Sequence, residues 1–495
     1  MTDLILAIDQ GTTGSTVLAL DAKTFEVKGR KTVEVPQHFP AAGQVEHDVE
    51  EIWEGVLVAI QGALAATGLV DAGSHVKAIG ITNQRETTAL WDRRTGKPMH
   101  RAIVWQDRRT APMCQKLREQ GVEPLVFDKA GLLLDPYFSG TKIRWLLENV
   151  TDAKVRADRG ELAFGTIDTW LIHKLSGGAA HVTDVTNASR TLLMDLRTLE
   201  WDDALLAALG VPREVLPKIA GSAEVVAHTK GVAGLPDGVA IAGIAGDQQA
   251  ALFGQGCFEK GDVKCTYGTG AFILMNCGSA PVPSRHRLLT TVAWKIPGET
   301  AYAIEGSSFI AGAAVQWLRD GLGIIKSASE IEALARSVSD SGECVFVPAL
   351  TGLGAPHWAP DARGMIDGIG RNTTRAHLAR ATLEGIALSI ADLVDAMGKD
   401  AGAPVASMKV DGGASANDLL MDVQAALVRA KVVRPKVVET TALGAGLLAA
   451  LGAGLISDRN SLPKLPVERT FDGSAIGDVD GLRARWRKAI ERVLR

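Results

Sequence analysis

The chain opens on Leu4-Ile5-Leu6-Ala7-Ile8, an acid at Asp9, the turn Gln10-Gly11-Thr12-Thr13-Gly14-Ser15-Thr16, and a second apolar run, Val17-Leu18-Ala19-Leu20. Consecutive apolar residues bounded by turn formers predict a buried strand, and the tight Gly/Thr turn returns it as a hairpin. A related plan recurs past the middle of the 495 residues. There, residues 239–245 are apolar and small and meet Gly246-Asp247-Gln248-Gln249, and the turn Tyr267-Gly268-Thr269-Gly270 leads into Ala271-Phe272-Ile273-Leu274-Met275. Strand, acid and Gly/Thr turn in both halves predict an α/β protein of two related domains that meet at a cleft. The boundary is expected near residue 255, giving domains 1–254 and 255–495.

Helical spacing of apolar residues predicts helices over 50–66, 140–149, 308–322, 375–397 and 415–429, the last with Ser415 and Asp418 as an N-terminal capping pair. The most apolar stretch, 442–456, is too short to span a bilayer and carries Gly444, Gly446, Gly452 and Gly454, so a tightly packed core helix is expected and no membrane span. A net charge of −4 without basic runs argues against a nucleic-acid or membrane-surface protein. Nothing at the N-terminus resembles a targeting signal. The five cysteines are scattered without a C-x-x-C, which fits a reducing cytoplasm.

The common nucleotide signatures are missing: no G-x-x-x-x-G-K-[ST], no G-x-G-x-x-G opening a helix, neither H-R-D nor D-F-G. Any phosphate site must therefore use the two Gly/Thr hairpins, whose glycines let backbone N–H groups approach an anion while threonine adds a hydroxyl donor. A carboxylate beside such a nest is costly unless a cation sits between them, and Mg²⁺ bound to the phosphates of ATP supplies it. Asp9 and Asp247 together thus favour phosphotransfer over two ligand-free turns. A third element, Val410-Asp411-Gly412-Gly413-Ala414-Ser415-Ala416-Asn417, reads as a strand-to-helix corner on which a base or ribose can lie.

Asp9-Gln10-Gly11-Thr12-Thr13, Gly246-Asp247-Gln248-Gln249, Tyr267-Gly268-Thr269-Gly270 and Asp411-Gly412-Gly413 resemble the sequence blocks of the FGGY carbohydrate kinases, and Tyr137-Phe138-Ser139-Gly140-Thr141-Lys142-Ile143-Arg144-Trp145 resembles that family's first signature region. Asn83-Gln84-Arg85-Glu86-Thr87 and Val104-Trp105-Gln106-Asp107-Arg108-Arg109 are similar to the members that act on glycerol. The resemblance implies a pair of actin/Hsp70-like (ribonuclease H-like) domains with ATP and substrate between them, and transfer of phosphate from ATP to glycerol. It assigns Asp247 as general base. Arg85, Glu86, Trp105, Tyr137, Asp247, Gln248 and Phe272 would contact substrate, with Trp105 and Phe272 as an apolar wall. The nucleotide would meet Thr12, Thr13 and Gly14 at the first hairpin and Thr269 at the second, then Gly312, Gln316, Gly413 and Asn417. Asp9, through water, and Asp247 would hold Mg²⁺, and a homo-oligomer, dimer or tetramer, belongs to the same expectation. A free aspartate, with a pKa of about 3.9, is too weak to deprotonate an alcohol in advance. A largely dissociative phosphoryl transfer asks only that it orient the hydroxyl and take the proton late.

The sequence departs from the family pattern in two places. Gly14, Ser15 and Thr16 stand where many glycerol-specific members have Ser-Ser-Arg, so a cation near the phosphates is missing. At Leu235-Pro236-Asp237-Gly238 an acid occupies a loop that other members use to bind fructose 1,6-bisphosphate, and no inhibition by that dianion is expected there. Two alternatives stay open: a family member acting on a pentulose or sugar acid, and an ATP-gated binding module on the same fold.

Overall fold

The protein is described by a computed structural model over residues 2–359, 361–437 and 439–495; Met1, Pro360 and Val438 lie outside the described residues. The first sheet consists of β1 (Leu4–Gln10), β2 (Gly14–Asp21), β3 (Val27–Glu34), β4 (Val76–Asn83), β5 (Ala223–His228) and β6 (Ala240–Gly246), in the order β5-β6-β4-β1-β2-β3. The second consists of β7 (Asp262–Tyr267), β8 (Ala271–Gly278), β9 (Leu289–Ile296), β10 (Glu299–Ser308), β11 (Ser407–Asp411), β12 (Val432–Pro435) and β13 (Val467–Phe471), in the order β9-β10-β8-β7-β11-β12-β13.

The two sheets share one plan. In the first, β1 pairs antiparallel with β2 and β2 with β3, while β1, β4 and β6 run parallel and β5 closes the edge antiparallel. In the second, β7, β8 and β10 repeat the antiparallel side, β7, β11 and β12 the parallel side, and β13 the closing strand, with β9 added beyond β10. Two related domains are expected from the sequence, and this shared pairing pattern is their relation, although the closing strand precedes its neighbour in the first sheet and follows it in the second. The acid-and-turn pattern does not repeat as expected, however. Asp9 precedes its hairpin glycine by two residues, and the equivalent place in β7 is Thr266. Asp247 instead follows β6, so both acids belong to the first sheet.

The helices that matter to the cleft are α1 (Val49–Ala66), α2 (Ser139–Asn149), α3 (Asp247–Gly254), α4 (Gly312–Asp320), α5 (Arg375–Ala401), α6 (Asp418–Val428) and α7 (Thr440–Gly452). Two expected starts move. Residues 308–311 are not helical, because Ser308 still pairs with Ala271 in the sheet and α4 begins only at Gly312. The cap of α6 is Asn417 rather than Ser415, its side-chain oxygen accepting the Leu420 N–H at 2.9 Å. The long α5 runs four residues past the expected 397 and ends at Gly402, whose φ of 60° closes it as a left-handed cap.

The apolar segment after residue 440 is a core helix, as its glycines predict, and no helix among the described residues is long and apolar enough to cross a membrane. α7 comes from the second half of the chain but packs on the first sheet, against β1, β4, β6 and α3. Its backbone approaches so closely that a Cβ on Gly80 would lie 2.0 Å from Ala445 O, and one on Gly444 would lie 1.9 Å from Ala250 O. Phe253, Leu274, Trp294, Ala303 and Leu448 are buried in one cluster that joins α3 and α7 to the outer strands of the second sheet. The base of the cleft is therefore a packed core. In an ordinary helix interior Gly→Ala adds about 1 kcal/mol of stability. At Gly444 the clash reverses the sign: Gly444→Ala is expected to lower the urea unfolding free energy by roughly 2 kcal/mol or more, and a neutral or stabilised variant would contradict this packing.

Candidate active site

Three parallel strands of the first sheet end together, since Gln10 pairs with Asn83 and Asn83 with Gly246. The segments that follow them therefore emerge on one edge: the Gly11–Gly14 turn, Gln84-Arg85-Glu86, and Asp247 at the start of α3. Open α/β sheets bind their ligands at such carboxyl ends. Gly11 N–H donates to Gly14 O at 2.8 Å, which makes the first turn tight.

Arg85 is the centre of the edge. Its Nη1 and Nη2 donate to the two oxygens of Glu305 at 2.5 and 3.0 Å, Nη1 also reaches Gln249 Oε1 at 3.3 Å, and Nη2 reaches the Tyr137 hydroxyl at 3.2 Å. Its Nε lies 3.2 Å from Asp247 Oδ1 and 3.8 Å from Glu86 Oε1. A second buried guanidinium, Arg190, donates from Nε to Glu86 Oε1 at 2.7 Å and from Nη2 to Glu305 Oε1 at 2.9 Å. The two arginines hold the Glu305 carboxyl below the usual carboxylate range despite its burial, while burial raises that of Glu86. The Arg85 and Glu86 side chains are 2% and 1% exposed and that of Asp247 is 32% exposed, so the last of these carboxylates is the one open to a ligand.

Glu86 takes a left-handed φ of 61°, which an acidic residue adopts only when held there. Its carbonyl accepts from Thr88 Oγ1 at 3.0 Å, Ser139 Oγ at 3.1 Å and Lys142 Nζ at 3.5 Å. The signature segment at the start of α2 thus clamps the turn at Glu86. Arg190, Glu305, Ser139 and Lys142 were not assigned roles from the sequence. The available signal was a charge in an otherwise small or apolar run, as in Tyr302-Ala303-Ile304-Glu305-Gly306.

Trp105 and Tyr137 meet edge-on with ring centroids 5.6 Å apart, and Phe272 of β8 approaches Trp105 at 6.3 Å. The expected wall residues therefore come together, with Phe272 contributed by the second sheet. The Trp105 indole N–H also donates to Thr12 Oγ1 at 2.9 Å, tying the wall to the first hairpin. Gln248, next to Asp247, has its side-chain oxygen on the ammonium of buried Lys264.

Beyond the second hairpin lies a cavity of about 480 Å³ lined by Gly268, Thr269, Gly312, Gln316, Gly413 and Asn417 among others. The carbonyls of Gly268 and Thr269 accept N–H groups of Gly312 and Ala313 at 3.0 Å each, so the start of α4 holds the hairpin and its amides are not free donors. Gly312 is needed for the approach: a Cβ there would sit 2.7 Å from Gly268 O. At the double-glycine corner, Gly412 has φ 85°, and the first N–H groups of α6 are taken by Glu332 and Asn417. The expected helix N-terminus is therefore capped, and because Asn417 Oδ1 is the capping atom, its amide nitrogen is left as a donor at that corner.

Over residues 4–254 the chain matches the FGGY family of carbohydrate kinases, N-terminal domain, and over residues 263–453 the C-terminal domain of that family. The chain belongs to the FGGY family of carbohydrate kinases. It is similar to the glycerol kinase of Myxococcus xanthus (strain DK1622), at 58% identity over 492 residues and 99% of each chain. It is also similar to the glycerol kinase of Deinococcus radiodurans, at 54% identity over 491 residues, 99% of this chain and 97% of that one. Among solved structures, Plasmodium falciparum glycerol kinase with ADP superposes with a TM-score of 0.94 at 35% identity, covering 100% of this chain and 99% of the other. The fold of this FGGY kinase is the actin/Hsp70-like pair of α/β domains.

Asp9, at the end of β1, has its carboxyl pushed up to about 7 by burial and by the negative charges of Asp247 and Glu439. Folded, it therefore holds a proton between about pH 4 and 7 that the unfolded chain has released. The stability this group contributes is fully present below about 4, its unfolded value, and is lost as pH rises through about 7. Urea unfolding without added metal should show stability falling over that window in the native chain, and a flatter profile in Asp9→Asn. Identical profiles would show that Asp9 is not held in this acidic pocket.

Proposed function

We infer that the chain transfers the γ-phosphoryl group of ATP to glycerol, forming sn-glycerol 3-phosphate and ADP. The reading rests chiefly on one juxtaposition. The rings of Trp105, Tyr137 and Phe272 gather with Arg85, Glu86 and Asp247 beside the strand end that carries Asp9 and the first hairpin. This cluster has the chemistry that suits a short polyol: apolar faces for carbon, buried charged groups for hydroxyls. A site of that kind rejects an analogue lacking a hydroxyl by roughly 10⁴-fold, since its own polar groups are then left unpaired. The similarity to glycerol kinases along the whole chain supports the same substrate.

In this reading glycerol lies against Trp105 and Phe272, and the guanidinium of Arg85 and the carboxylate of Glu86 take two of its hydroxyls. Asp247 receives the third hydroxyl. The attacking oxygen forms its bond to the γ-phosphorus as the bond to the departing ADP oxygen breaks, and the hydroxyl proton passes to Asp247 Oδ. The phosphates lie between Thr12, Thr13 and Gly14 on one side and Thr269 on the other. The adenosine occupies the cavity lined by Gly312, Gln316, Gly413 and Asn417.

The residues present suit Mg²⁺ carried by the nucleotide. Burial and the nearby charges of Asp247 and Glu439 make ionisation of Asp9 costly, no ion-pair partner faces it among the described residues, and hard carboxylate oxygens are what that ion takes. No group of three or more acidic, histidine or cysteine side chains forms a ready ligand set among the described residues, which fits a metal held largely by phosphate and water. When bound, the ion neutralises charge on the phosphates.

The test is ADP release with ATP and Mg²⁺, with and without glycerol. Release is expected to depend on glycerol, and Asp247→Asn should lower kcat by about 10²- to 10⁴-fold with the KM for ATP largely kept. Equal release without glycerol, or near-native turnover in Asp247→Asn, would refute the assignment.

A further inference from the structure

Lys264 projects from β7 and is fully buried. Its ammonium donates to Gln248 Oε1, across the boundary between the lobes, and to Thr266 Oγ1 at 2.8 Å. Burial lowers its pKa, opposed chiefly by the negative charge of Asp411 and, further down, of Asp247. An ammonium has only donors to offer. The Gln248 atom facing it is therefore the carbonyl oxygen, and the amide nitrogen is turned the other way. Gln248 itself is half-buried beside Asp247, and its Nε2 has no hydrogen-bond partner among the described residues.

We propose that Lys264 is a positioning residue that locks the Gln248 amide with its nitrogen toward the cleft, so that this position presents two N–H donors to the substrate and selects a hydroxyl or carbonyl oxygen over an ammonium. The proposal rests on the polyol-phosphorylating reading above and adds to it the residue that sets the polarity of one contact. Gln248 alone has no intrinsic orientation, since an amide turned by 180° fits the same space with donor and acceptor exchanged. The lock comes from a strand of the second lobe, so the substrate contact is complete only when both lobes are in place.

Steady-state kinetics on the full chain test it, with the unaltered protein, Lys264→Met, Gln248→Ala, the double variant and Gln248→Glu. Absence of glycerol-dependent ADP release in the unaltered protein would sink the underlying reading; given that activity, the variants judge Lys264 alone. Lys264→Met is expected to raise the KM for glycerol about tenfold and that for ATP less than about twofold. In the Gln248→Ala background it should add less than about twofold, because its effect passes through that amide. Gln248→Glu keeps the shape and pairs with Lys264 but offers no N–H, and its KM for glycerol should also rise about tenfold. An undiminished cost of Lys264→Met in the Gln248→Ala background, a parallel rise in the KM for ATP, or an unchanged KM for glycerol in Gln248→Glu would overturn the proposal. Gln248→Glu decides the matter should Lys264→Met fail to fold.

Discussion

Glu305 is one carboxylate shared by two buried guanidiniums, and the charged cluster at the strand ends of the first sheet hangs from it. It stands on β10 of the second sheet, whereas Arg85 and Arg190 belong to the first half of the chain, so the cluster pins the lobes together beside Asp247. Removing charges from water is expensive, and mutual attraction compensates only when the geometry is good and the remaining donors are satisfied. Here Arg85 meets Glu305 with both terminal nitrogens and spends its Nε on Asp247. Such a cluster is weak evidence for extra stability. Its consequence is rigidity: the one carboxylate with room for a ligand is held by an arginine that cannot turn.

The duplicated sheet plan explains how one architecture gives two different pockets. In each lobe the chain leaves a central strand by a Gly/Thr hairpin and leaves the neighbouring parallel strand at the cleft. In the first lobe that neighbour, β4, exits through Gln84-Arg85-Glu86. In the second, β11 exits through Gly412-Gly413, with no side chains to obstruct a flat ligand. Charged side chains gather at the first exit, and bare backbone borders the 480 Å³ cavity at the second. α7 and α3 join the lobes through a packed core at the base of the cleft.

Much of this was legible in the sequence because the relevant signals are local. The apolar run ending at Asp9, the Gly/Thr turns and the glycine-rich helix each encode their structure within a few residues. Gly11–Gly14 is tight, and α7 is buried as its composition implies. What escaped was set by distant contacts. Arg190 and Glu305 are 115 residues apart and meet only through the fold. The start of α4 shifted because Ser308 is still bound in a sheet whose partner, Ala271, lies elsewhere in the chain. The pattern pairing an acid with each hairpin failed for a related reason: Asp247 reaches the cleft by strand register, not by proximity to the Gly268 turn. Local propensity says nothing of register between β4 and β6.

The account stands on Glu305 holding Arg85 in place. The direct measurement is kcat/KM for glycerol in Glu305→Gln, whose amide keeps the volume but removes the negative charge and leaves one acceptor oxygen where the carboxylate offers two. A loss of about 10²-fold or more, with the KM for ATP within about threefold of the native value, is the result expected. A glycerol kcat/KM within about twofold of the native enzyme would show that the buried cluster does not position the substrate groups.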